Sequence, residues 1–142
     1  MTPDEQKQKA VELLEACEHN DAATAERLLS DDFVYENMER MAAAWSVNGQ
    51  EVSNKLDRET FIRFGVPANK TVTKDGMHFK YDLLIAEGPH VAIFGESNAT
   101  AHNGKPYANC YCWFFRFSGD RISLLREYRD TYLSRAVLFD QP

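Results

Sequence analysis

The N-terminal part of the chain has the apolar spacing of helices. After Pro3, which suits a first helical turn, apolar side chains recur at intervals of three and four as far as Cys17. Asp21 can cap a second helix, whose apolar positions lie within 22–29 and end at the polar run 30–32. The pattern predicts two consecutive helices that form a hairpin.

A short strand and a third helix are predicted next. Residues 33–38 alternate and are rich in β-formers, whereas the stretch that follows as far as Asn54 has no clear pattern. The segment 57–65 is typical of a short capped helix that Gly65 closes, with Pro67 beyond it. The helical part of the fold therefore ends before about residue 70.

From about Thr71 onward, strand-like runs follow one another. Turn signals separate them at Gly88-Pro89, Asn103-Gly104 and Gly119-Asp120, and nothing repeats at a fixed period. The order of elements predicts an α+β fold, with N-terminal helices packed on a strongly curved antiparallel or mixed β-sheet.

The turns also predict which residues share one face of the sheet. If Asn103-Gly104 and Gly119-Asp120 are two-residue hairpin turns, the three strands that they join are in a fixed register. The predicted rows on one face are Asn98, Asn109 and Asp130, then Glu96, Tyr111 and Tyr128, then Phe94, Trp113 and Arg126, with Phe115 and Leu124 beyond them. One end of this face is polar and the other is aromatic.

The opposite face has a different composition. It carries Ile93, Ala99, Cys110, Cys112, Phe114 and Leu125, mixed with Arg116, Glu127 and Arg129. Apolar and charged side chains mixed in this way are more typical of a subunit interface than of a solvated surface. We therefore expect a homodimer that forms through the convex face of the sheet.

Composition narrows the class of protein. At 142 residues and 44% hydrophobic content, residues 1–142 are predicted to form a single domain with one core. The formal charge of −6 argues against nucleic acid as a partner, and no apolar run reaches the ~20 residues of a membrane span. We expect a cytoplasmic protein whose three cysteines are reduced packing residues.

A curved sheet covered by helices would enclose the polar and aromatic rows as a cone, which is the usual make-up of a small-molecule site. The motifs that carry a family resemblance are Tyr107-x-Asn109-x-Tyr111, Phe115-Arg116-Phe117, Gly119-Asp120-Arg121-Ile122 and Arg126-Glu127-Tyr128-Arg129-Asp130-Thr131. With the order of elements, they make the chain resemble the SnoaL-like branch of the nuclear transport factor 2-like (NTF2-like) superfamily.

The resemblance implies a cystatin-like α+β cone and an enzyme that acts on hydrophobic small molecules without a cofactor. Members include polyketide cyclases, isomerases, lyases and limonene epoxide hydrolases. Asp130 matches the pocket carboxylate that cyclases and epoxide hydrolases use as acid or base. Tyr35 and Asn37 match the epoxide hydrolase pair that holds the attacking water. The Arg and Asp that those hydrolases carry on the middle strand are replaced by Glu96 and Asn98.

The residues themselves also suggest acid/base chemistry. A carboxylate in an apolar cone loses hydration and becomes a better general base, which makes Asp130 the first candidate and Glu96 its partner. Tyr35, Tyr111 and Tyr128 are phenolic donors that can stabilise an enolate oxygen. The residues predicted to bind substrate are Asn98, Asn109, Tyr111, Trp113, Tyr128 and Phe94. The sequence has no metal or nucleotide motif, so no cofactor is expected.

The sequence thus predicts a cofactor-independent isomerase, cyclase, lyase or dehydratase for an oxygenated, aromatic or polycyclic molecule. One alternative is epoxide hydrolase-like water addition by Tyr35, Asn37 and Asp130. The other is a non-catalytic module for ligand binding or protein association. Two structural alternatives stay open. Asp130 could instead form an ion pair with an arginine at a strand end. If the predicted register is wrong by one residue, Glu96 faces outward.

Overall fold

The structure, a computed structural model of the chain, describes residues 1–40, 46–47, 49–51 and 53–139. Its helices are α1 (Pro3–His19), α2 (Ala22–Leu28), α3 (Arg58–Thr60), α4 (Ala68–Val72) and α5 (Thr131–Val137), and a π-helical turn at Phe61–Gly65 follows α3. Its strands are β1 (Leu29–Asn37), β2 (Ser46–Val47), β3 (Gln50–Glu51), β4 (Lys55–Asp57), β5 (His78–Glu87), β6 (His90–Thr100), β7 (Pro106–Tyr107), β8 (Cys110–Ser118) and β9 (Arg121–Arg129). The predicted α+β class is confirmed.

The two N-terminal helices form where the sequence predicts them. Thr2 and Glu5 form a capping box at the start of α1, and the Asp21 side chain caps α2. The difference lies at the end of α2, because Leu29 begins β1 and does not continue the helix. The polar residues 30–32 therefore belong to the strand.

The main sheet is mixed and strongly curled. Its strands lie in the order β4-β1-β9-β8-β6-β5, and β7 pairs with β6. β1 runs parallel to β9, whereas the other pairs in this sheet are antiparallel. A separate antiparallel pair is formed by β2 and β3. Buried side chains of α1 and α2 pack against those of the main sheet in one core, so the helices cover the concave face.

The third predicted helix continues further than its sequence indicates. Asp57 caps α3 by accepting a hydrogen bond of 2.8 Å from the Thr60 backbone N–H, as its position predicts. Gly65 does not end the helical segment, which continues through a turn into α4. A Cβ at Gly65 would lie 2.5 Å from Cδ1 of Phe61, so glycine serves here to let that ring pack closely.

The turn at Gly88-Pro89 forms where its signal predicts it, and the turn at Gly119-Asp120 has the predicted length of two residues. Glu87 pairs with His90 around Gly88-Pro89, and Ser118 pairs with Arg121 around Gly119-Asp120. Gly88 and Gly119 both have a positive φ, of 56° and 61°, which suits the first position of these two-residue hairpins.

The third turn is one residue longer than predicted, and the register that rests on it is wrong. The Ala101 backbone N–H donates to the Lys105 carbonyl at 2.9 Å, which leaves a loop of three residues, 102–104. Its last residue, Gly104, has a φ of 84°, the left-handed conformation expected at that place in a three-residue hairpin loop. Phe94 consequently pairs with Cys112, and Glu96 pairs with Cys110.

A β-bulge in β9 adds a second shift. Phe117 pairs with Ile122, but Arg116 pairs with Leu124, so Ser123 is the extra residue. Its hydroxyl donates a hydrogen bond of 3.2 Å to the Arg116 carbonyl. Beyond the bulge, every side chain of β9 lies on the face opposite to the predicted one.

The two shifts exchange the faces of β6 and β9. Phe94, Glu96 and Asn98 are exposed and lie on the convex face, as do Arg126 and Tyr128. Glu127 pairs with Trp113 and Arg129 pairs with Tyr111, on the concave face. The sequence predicts a convex position for Ile93, Leu125, Glu127 and Arg129, and this prediction is wrong. The concave position predicted for Phe94, Glu96, Asn98, Arg126 and Tyr128 is also wrong.

The narrow end of the curled sheet holds the core. Val91, Ile93, Trp113, Phe115 and Leu125 are fully or almost fully buried there against α1 and α2. The convex face in contrast exposes large apolar side chains, namely Leu83, Ile85, Phe94 and Tyr128. Within the described ranges, no helix combines the length and the apolar character that crossing a membrane requires.

Candidate active site

A cavity of about 500 Å³ lies between the concave face of the sheet and the helical segment 58–72. Most of its wall is apolar, and aromatic side chains supply much of that wall. The aromatic residues that line it are Tyr35, Phe61, Phe64, Phe79, Tyr107, Tyr111, Trp113 and Phe139. Its volume is within the range of small-molecule sites.

A stacked pair of rings forms the flattest part of this wall. The rings of Tyr111 and Trp113 lie 4.6 Å apart and within 8° of parallel, and Phe79 meets Trp113 edge to face at 5.2 Å. Gly95 on the neighbouring strand leaves room for this arrangement, because a Cβ there would lie 3.0 Å from the Trp113 ring. The sheet thus gives the cavity a tightly packed aromatic wall.

Glu127 is the carboxylate of this cavity. Its Oε1 accepts a hydrogen bond of 3.1 Å from the Trp113 indole, and its Oε2 accepts one of 3.4 Å from the Tyr35 hydroxyl. Arg129 donates to the same Oε2. The Glu127 side chain is 17% exposed, so it is largely removed from bulk water while it still lines the cavity.

Arg129 is the cation of the cavity and has three partners. Besides Glu127, it donates from Nε to the Ser134 hydroxyl at 2.9 Å, and its Nη2 lies 3.6 Å from Oε1 of Glu39. Burial by itself lowers the pKa of this guanidinium, but the negative charge of Glu127 and other neighbours outweighs burial and raises it. Arg129 therefore stays charged at all ordinary pH values.

Tyr35 and Asn37 lie in the cavity wall, where the sequence predicts them. Burial, and then the nearby Glu127 charge, raise the pKa of Tyr35 well above its ordinary value. Its phenol is thus a stable donor next to the Glu127 carboxylate. Asn37 is 5% exposed, and its Oδ1 accepts a hydrogen bond of 2.9 Å from the Glu39 backbone N–H.

Tyr111 offers a second phenol in the same wall. Its hydroxyl lies 2.8 Å from the Ser97 hydroxyl and also contacts the Met77 sulfur at 3.9 Å. Burial is the main cause that raises the pKa of Tyr111, so this phenol also keeps its proton. The cavity is therefore lined by the phenols of Tyr35, Tyr107 and Tyr111, one carboxylate and one guanidinium, among apolar side chains.

Asn109 and Asp130 are close together, as predicted, but they serve the fold outside this cavity. The buried Asn109 amide donates to the Tyr107 hydroxyl at 2.6 Å, and its Oδ1 accepts the Asp130 backbone N–H at 3.1 Å. The Asp130 carboxylate is exposed and caps α5 by accepting the Leu133 backbone N–H at 3.1 Å. It is therefore neither the cavity carboxylate nor a partner in the ion pairs of Arg126 and Arg129.

The predicted site residues divide into two groups. Tyr35, Asn37, Tyr111 and Trp113 line the cavity. Those that lie elsewhere are Asp130, Glu96, Asn98, Asn109, Phe94 and Tyr128. Four of these six, Glu96, Asn98, Asn109 and Asp130, line a polar groove on the other side of the sheet. His78, Lys80 and Cys110 line the same groove.

Glu127 and Arg129 are the functional residues that sequence reasoning misses. One signal was available: Leu124 and Leu125 are consecutive apolar residues in a strand that otherwise alternates, which is typical of a bulge. A shift at that point places Leu125, Glu127 and Arg129 on a single face, with a glutamate and an arginine two residues apart.

The described part of the chain has no group of three or more His, Cys, Asp or Glu side chains that could hold a metal ion. The cavity does contain one thiol, that of Cys17 on α1. Burial, followed by the Glu127 charge, raises the pKa of Cys17 to about 12. All three cysteines are free, as predicted, but Cys110 is exposed and is not a packing residue.

Comparison with known proteins identifies the family to which the chain belongs. The family model for the SnoaL-like domain matches residues 10–125. The chain belongs to the SnoaL-like domain family. No curated protein matches this SnoaL-like domain at a significant level. Similar solved structures are nevertheless numerous, and they share the fold at low sequence identity.

Three of these structures illustrate the range. An NTF2-like protein of unknown function from Burkholderia pseudomallei is 20% identical, with a TM-score of 0.77 over 97% of this SnoaL-like domain and 98% of that chain. An epoxide hydrolase of the limonene type from M. tuberculosis is 20% identical, with a TM-score of 0.71 over 96% of this domain and 90% of that chain. IdmH from Streptomyces antibioticus, described as a candidate polyketide cyclase, is 18% identical, with a TM-score of 0.69 over 92% and 96%. The NTF2-like architecture expected from the sequence is thus confirmed.

Proposed function

We propose that this SnoaL-like domain is a cofactor-independent acid/base enzyme for a hydrophobic, oxygenated small molecule, and that Glu127 is its general base. One observation carries the proposal: a largely buried carboxylate lines an apolar cavity and is oriented from two sides, by the Trp113 indole and the Tyr35 phenol. A base held in this way needs no reorganisation when it accepts a proton. Glu127 takes the role that the sequence assigned to Asp130.

The reaction class that these groups suit is proton abstraction next to a carbonyl. The C–H bond breaks, its proton goes to a carboxylate oxygen of Glu127, and the electron pair forms an enolate. A neutral phenol, from Tyr35 or Tyr111, can donate a hydrogen bond to the enolate oxygen. Return of the proton to a different carbon gives an isomerase, attack of the enolate on a second carbonyl gives a cyclase, and loss of a leaving group gives a lyase.

The shape and chemistry of the wall support a flat substrate. The rings of Tyr111 and Trp113 stack on each other in this wall, and Phe79 meets Trp113 edge to face. Offset stacking of aromatic rings adds about 0.5–1.5 kcal/mol beyond the burial of apolar area. We therefore propose an aromatic or polycyclic substrate that carries carbonyl or hydroxyl groups.

A second candidate reaction is the addition of water to an epoxide. It is favoured by the position of the Tyr35 hydroxyl, 3.4 Å from Glu127 Oε2, with Asn37 in the same wall. A water held by these three side chains could lose its proton to Glu127 and attack an epoxide carbon. The ring C–O bond at that carbon breaks, and the alkoxide that forms takes the proton back from Glu127 to give a diol. The third possibility is a binding module, in which the same cavity holds a ligand without turnover.

The test compares Glu127→Gln with two matched variants. Purified proteins are incubated with a panel of polycyclic hydroxyketones and epoxides, and products are followed by mass spectrometry in normal and ¹⁸O-labelled water. We expect Glu127→Gln to bind the substrate but to lose about 10²–10⁴-fold in kcat. Asp130→Asn and the exposed strand variant Glu87→Gln should keep full turnover. Label in the product identifies the hydrolase, and its absence identifies the isomerase, cyclase or lyase.

Unchanged turnover in Glu127→Gln would overturn the assignment of the base. Loss of turnover in Asp130→Asn alone would return that role to Asp130. Tight binding without conversion by the unmodified protein, for every compound that binds, would favour the binding module.

We also propose that a second copy of the chain covers the convex face. Leu83, Ile85, Phe94 and Tyr128 are between 39% and 52% exposed there. Glu96 and Arg126 flank the row of Phe94 and Tyr128 on opposite sides. In a two-fold interface the patch meets itself in reverse, so these opposite charges would face each other across the two copies.

Sedimentation velocity tests the dimer. We expect a dimer for the unmodified protein and a monomer for Phe94→Glu, whereas Gln8→Glu on the exposed face of α1 adds the same charge without effect. A monomeric unmodified protein at about 100 µM would contradict the proposed interface, since stable homodimers generally bind more tightly than that.

A further inference from the structure

The Arg129 guanidinium is shared between two carboxylates. One of its terminal nitrogens donates to Glu127 in the cavity, and the other lies 3.6 Å from Glu39 Oε1, behind the cavity wall. The three side chains are only 17%, 10% and 4% exposed for Glu127, Arg129 and Glu39 respectively. Two potential negative charges thus face one positive charge in the interior.

Glu39 is the incompletely satisfied member of this group. Its Oε1 is buried and has no hydrogen-bond partner among the described residues, because 3.6 Å is too long for a hydrogen bond from Arg129. A buried carboxylate with an unpaired oxygen is costly as an anion and less costly as a neutral acid. Glu39 does not line the cavity, so direct contact with a substrate does not explain it.

We propose that Glu39 is a positioning residue that tunes the basicity of Glu127 through the shared Arg129. When Glu39 is ionised, it draws on the Arg129 charge and repels Glu127, which makes Glu127 a stronger base. When Glu39 holds a proton, the full charge of Arg129 acts on Glu127 and weakens that base. The catalytic meaning of this coupling rests on the proposed role of Glu127.

The other charged and titratable groups near the pair come from four elements. Arg135 of α5 acts on Glu39, while Cys17 of α1 and Tyr35 of β1 interact with Glu127, and Tyr107 of β7 interacts with Arg129. Burial raises the pKa of Cys17 to about 12 and the pKa of Tyr35 further still, so both stay neutral below pH 9. The proposed coupling therefore concerns the two carboxylates that face Arg129, those of Glu39 and Glu127.

Burial also raises the pKa of Glu39, and the nearby Arg129 and Arg135 oppose this effect without cancelling it. The direction agrees with the geometry, because a buried carboxylate that shares the Arg129 cation with Glu127 is expected to hold its proton longer. The pair should therefore titrate as a coupled system in which each proton affects the other.

Trp113 supplies a reporter that requires no substrate. Its indole N–H donates to Glu127, so the ¹⁵N and ¹H shifts of that group follow the charge of the carboxylate. The chain has two tryptophans, and Trp45→Phe identifies the second signal. We expect Glu39→Gln to move the Trp113 titration midpoint to lower pH by at least about 0.5 pH unit. The exposed control Glu87→Gln should leave the midpoint in place.

An unchanged midpoint in folded Glu39→Gln would overturn the proposal. A second measurement uses the unmodified protein, labelled with ¹³C at the glutamate carboxyl carbons. Coupling predicts that the Glu39 and Glu127 signals each show two inflections at shared midpoints, and independent single-step curves would also overturn it. This second test does not depend on whether Glu39→Gln folds.

Activity then separates this inference from the proposed function. For a converted substrate, the acid limb of the kcat/KM profile should move to lower pH in Glu39→Gln, by the same amount as the Trp113 midpoint, and Glu39→Asp should restore part of it. A purely structural role for Glu39 would lower stability and leave the limb in place. If the NMR coupling is present but Glu127→Gln keeps its turnover, the proposed function fails while the coupling stands.

Discussion

Trp113 and Glu127 are direct cross-strand partners, and the Trp113 indole donates a hydrogen bond of 3.1 Å to Glu127 Oε1. The largest ring of the cavity wall therefore also orients the carboxylate of the cavity. Because Trp113 is 1% exposed and stacks on Tyr111, this donor is held rigidly. The position of the base is thus fixed by the packing of the core.

Replacement of Trp113 by Phe tests this link. Phe can retain much of the aromatic stacking but removes the donor, and a hydrogen bond to a charged group is worth about 1.5–3 kcal/mol. We expect Trp113→Phe to lower the free energy of unfolding by about that amount, measured by urea denaturation. Phe94→Leu, which changes an aromatic residue on the convex face, should cost less than about 1 kcal/mol. Equal losses in the two variants would show that the hydrogen bond is not the cause.

Arg129 should be essential for stability as long as Glu127 is charged. Arg129→Met removes the cation that the buried Glu127 and Glu39 carboxylates share, which is expected to cost about 3–5 kcal/mol at pH 7. Adding Glu127→Gln to Arg129→Met removes one of the unpaired charges and should recover part of that loss. Chemical denaturation of the two single variants and the double variant gives the coupling energy. Strict additivity would contradict the buried ion pair.

Gly65 and Phe61 form a second tight pair. An alanine Cβ at position 65 would lie 2.5 Å from the Phe61 ring, so we expect Gly65→Ala to push the ring aside and cost about 1–3 kcal/mol. In a Phe61→Leu background the same change should cost little or even stabilise, because Ala is the better helix former. Thermal denaturation of the four proteins measures both effects. A similar cost of Gly65→Ala in both backgrounds would point away from the ring.

The three thiols should react at very different rates. Cys110 is exposed, whereas burial raises the pKa of Cys17 to about 12, and only the thiolate is nucleophilic. At pH 8 we expect iodoacetamide to modify Cys110 first and Cys17 only after unfolding, as followed by peptide mass spectrometry. Cys110→Ser should abolish the fast phase. Rapid labelling of Cys17 in the folded protein would show that its wall of the cavity is open to solvent.

Glu39 should make stability depend on pH. Since its pKa is raised by burial, the folded protein binds this proton more tightly than the unfolded chain does. The stabilisation is complete below the ordinary glutamate value of 4.5 and is lost as pH rises through the folded-state pKa. The difference in unfolding free energy between the unmodified protein and Glu39→Gln should therefore decrease from pH 4 to pH 7. A difference that is constant over this range would contradict the direction of the shift.

The elements of the fold were predictable because each has a local cause. Caps such as Asp21 and Asp57 mark the starts of helices, and glycines with a positive φ mark the hairpins. The cavity residues on β1 and β8, including Tyr35 and Trp113, were also predictable, since each lies on a strand whose predicted inner face is the observed one.

The residues on β6 and β9 were not predictable in the same way. Their orientation depends on one extra residue in the 102–104 loop and one at Ser123. A register shift of one residue moves every side chain of a strand to the opposite face of the sheet. The hydrophobic pattern does not choose between the two registers, because each strand has two neighbouring apolar residues that could face the core. These are Ile93 and Phe94 in β6, and Leu124 and Leu125 in β9. The choice is made by long-range packing around Trp113, which adjacent residues in the sequence do not reveal.

The bulge at Ser123 decides which chemistry this cavity has. The bulge absorbs Ser123, so deletion of that residue would leave Arg116 opposite Leu124 and keep Glu127 and Arg129 in the interior. If the bulge were lost while Ser123 stayed, Ser123 would pair with Arg116, and Arg126 and Tyr128 would face the interior in place of Glu127 and Arg129. The same amino acids could thus give two different interiors, so the gain or loss of one bulge is a route by which this scaffold could acquire a new reactivity in a single evolutionary step.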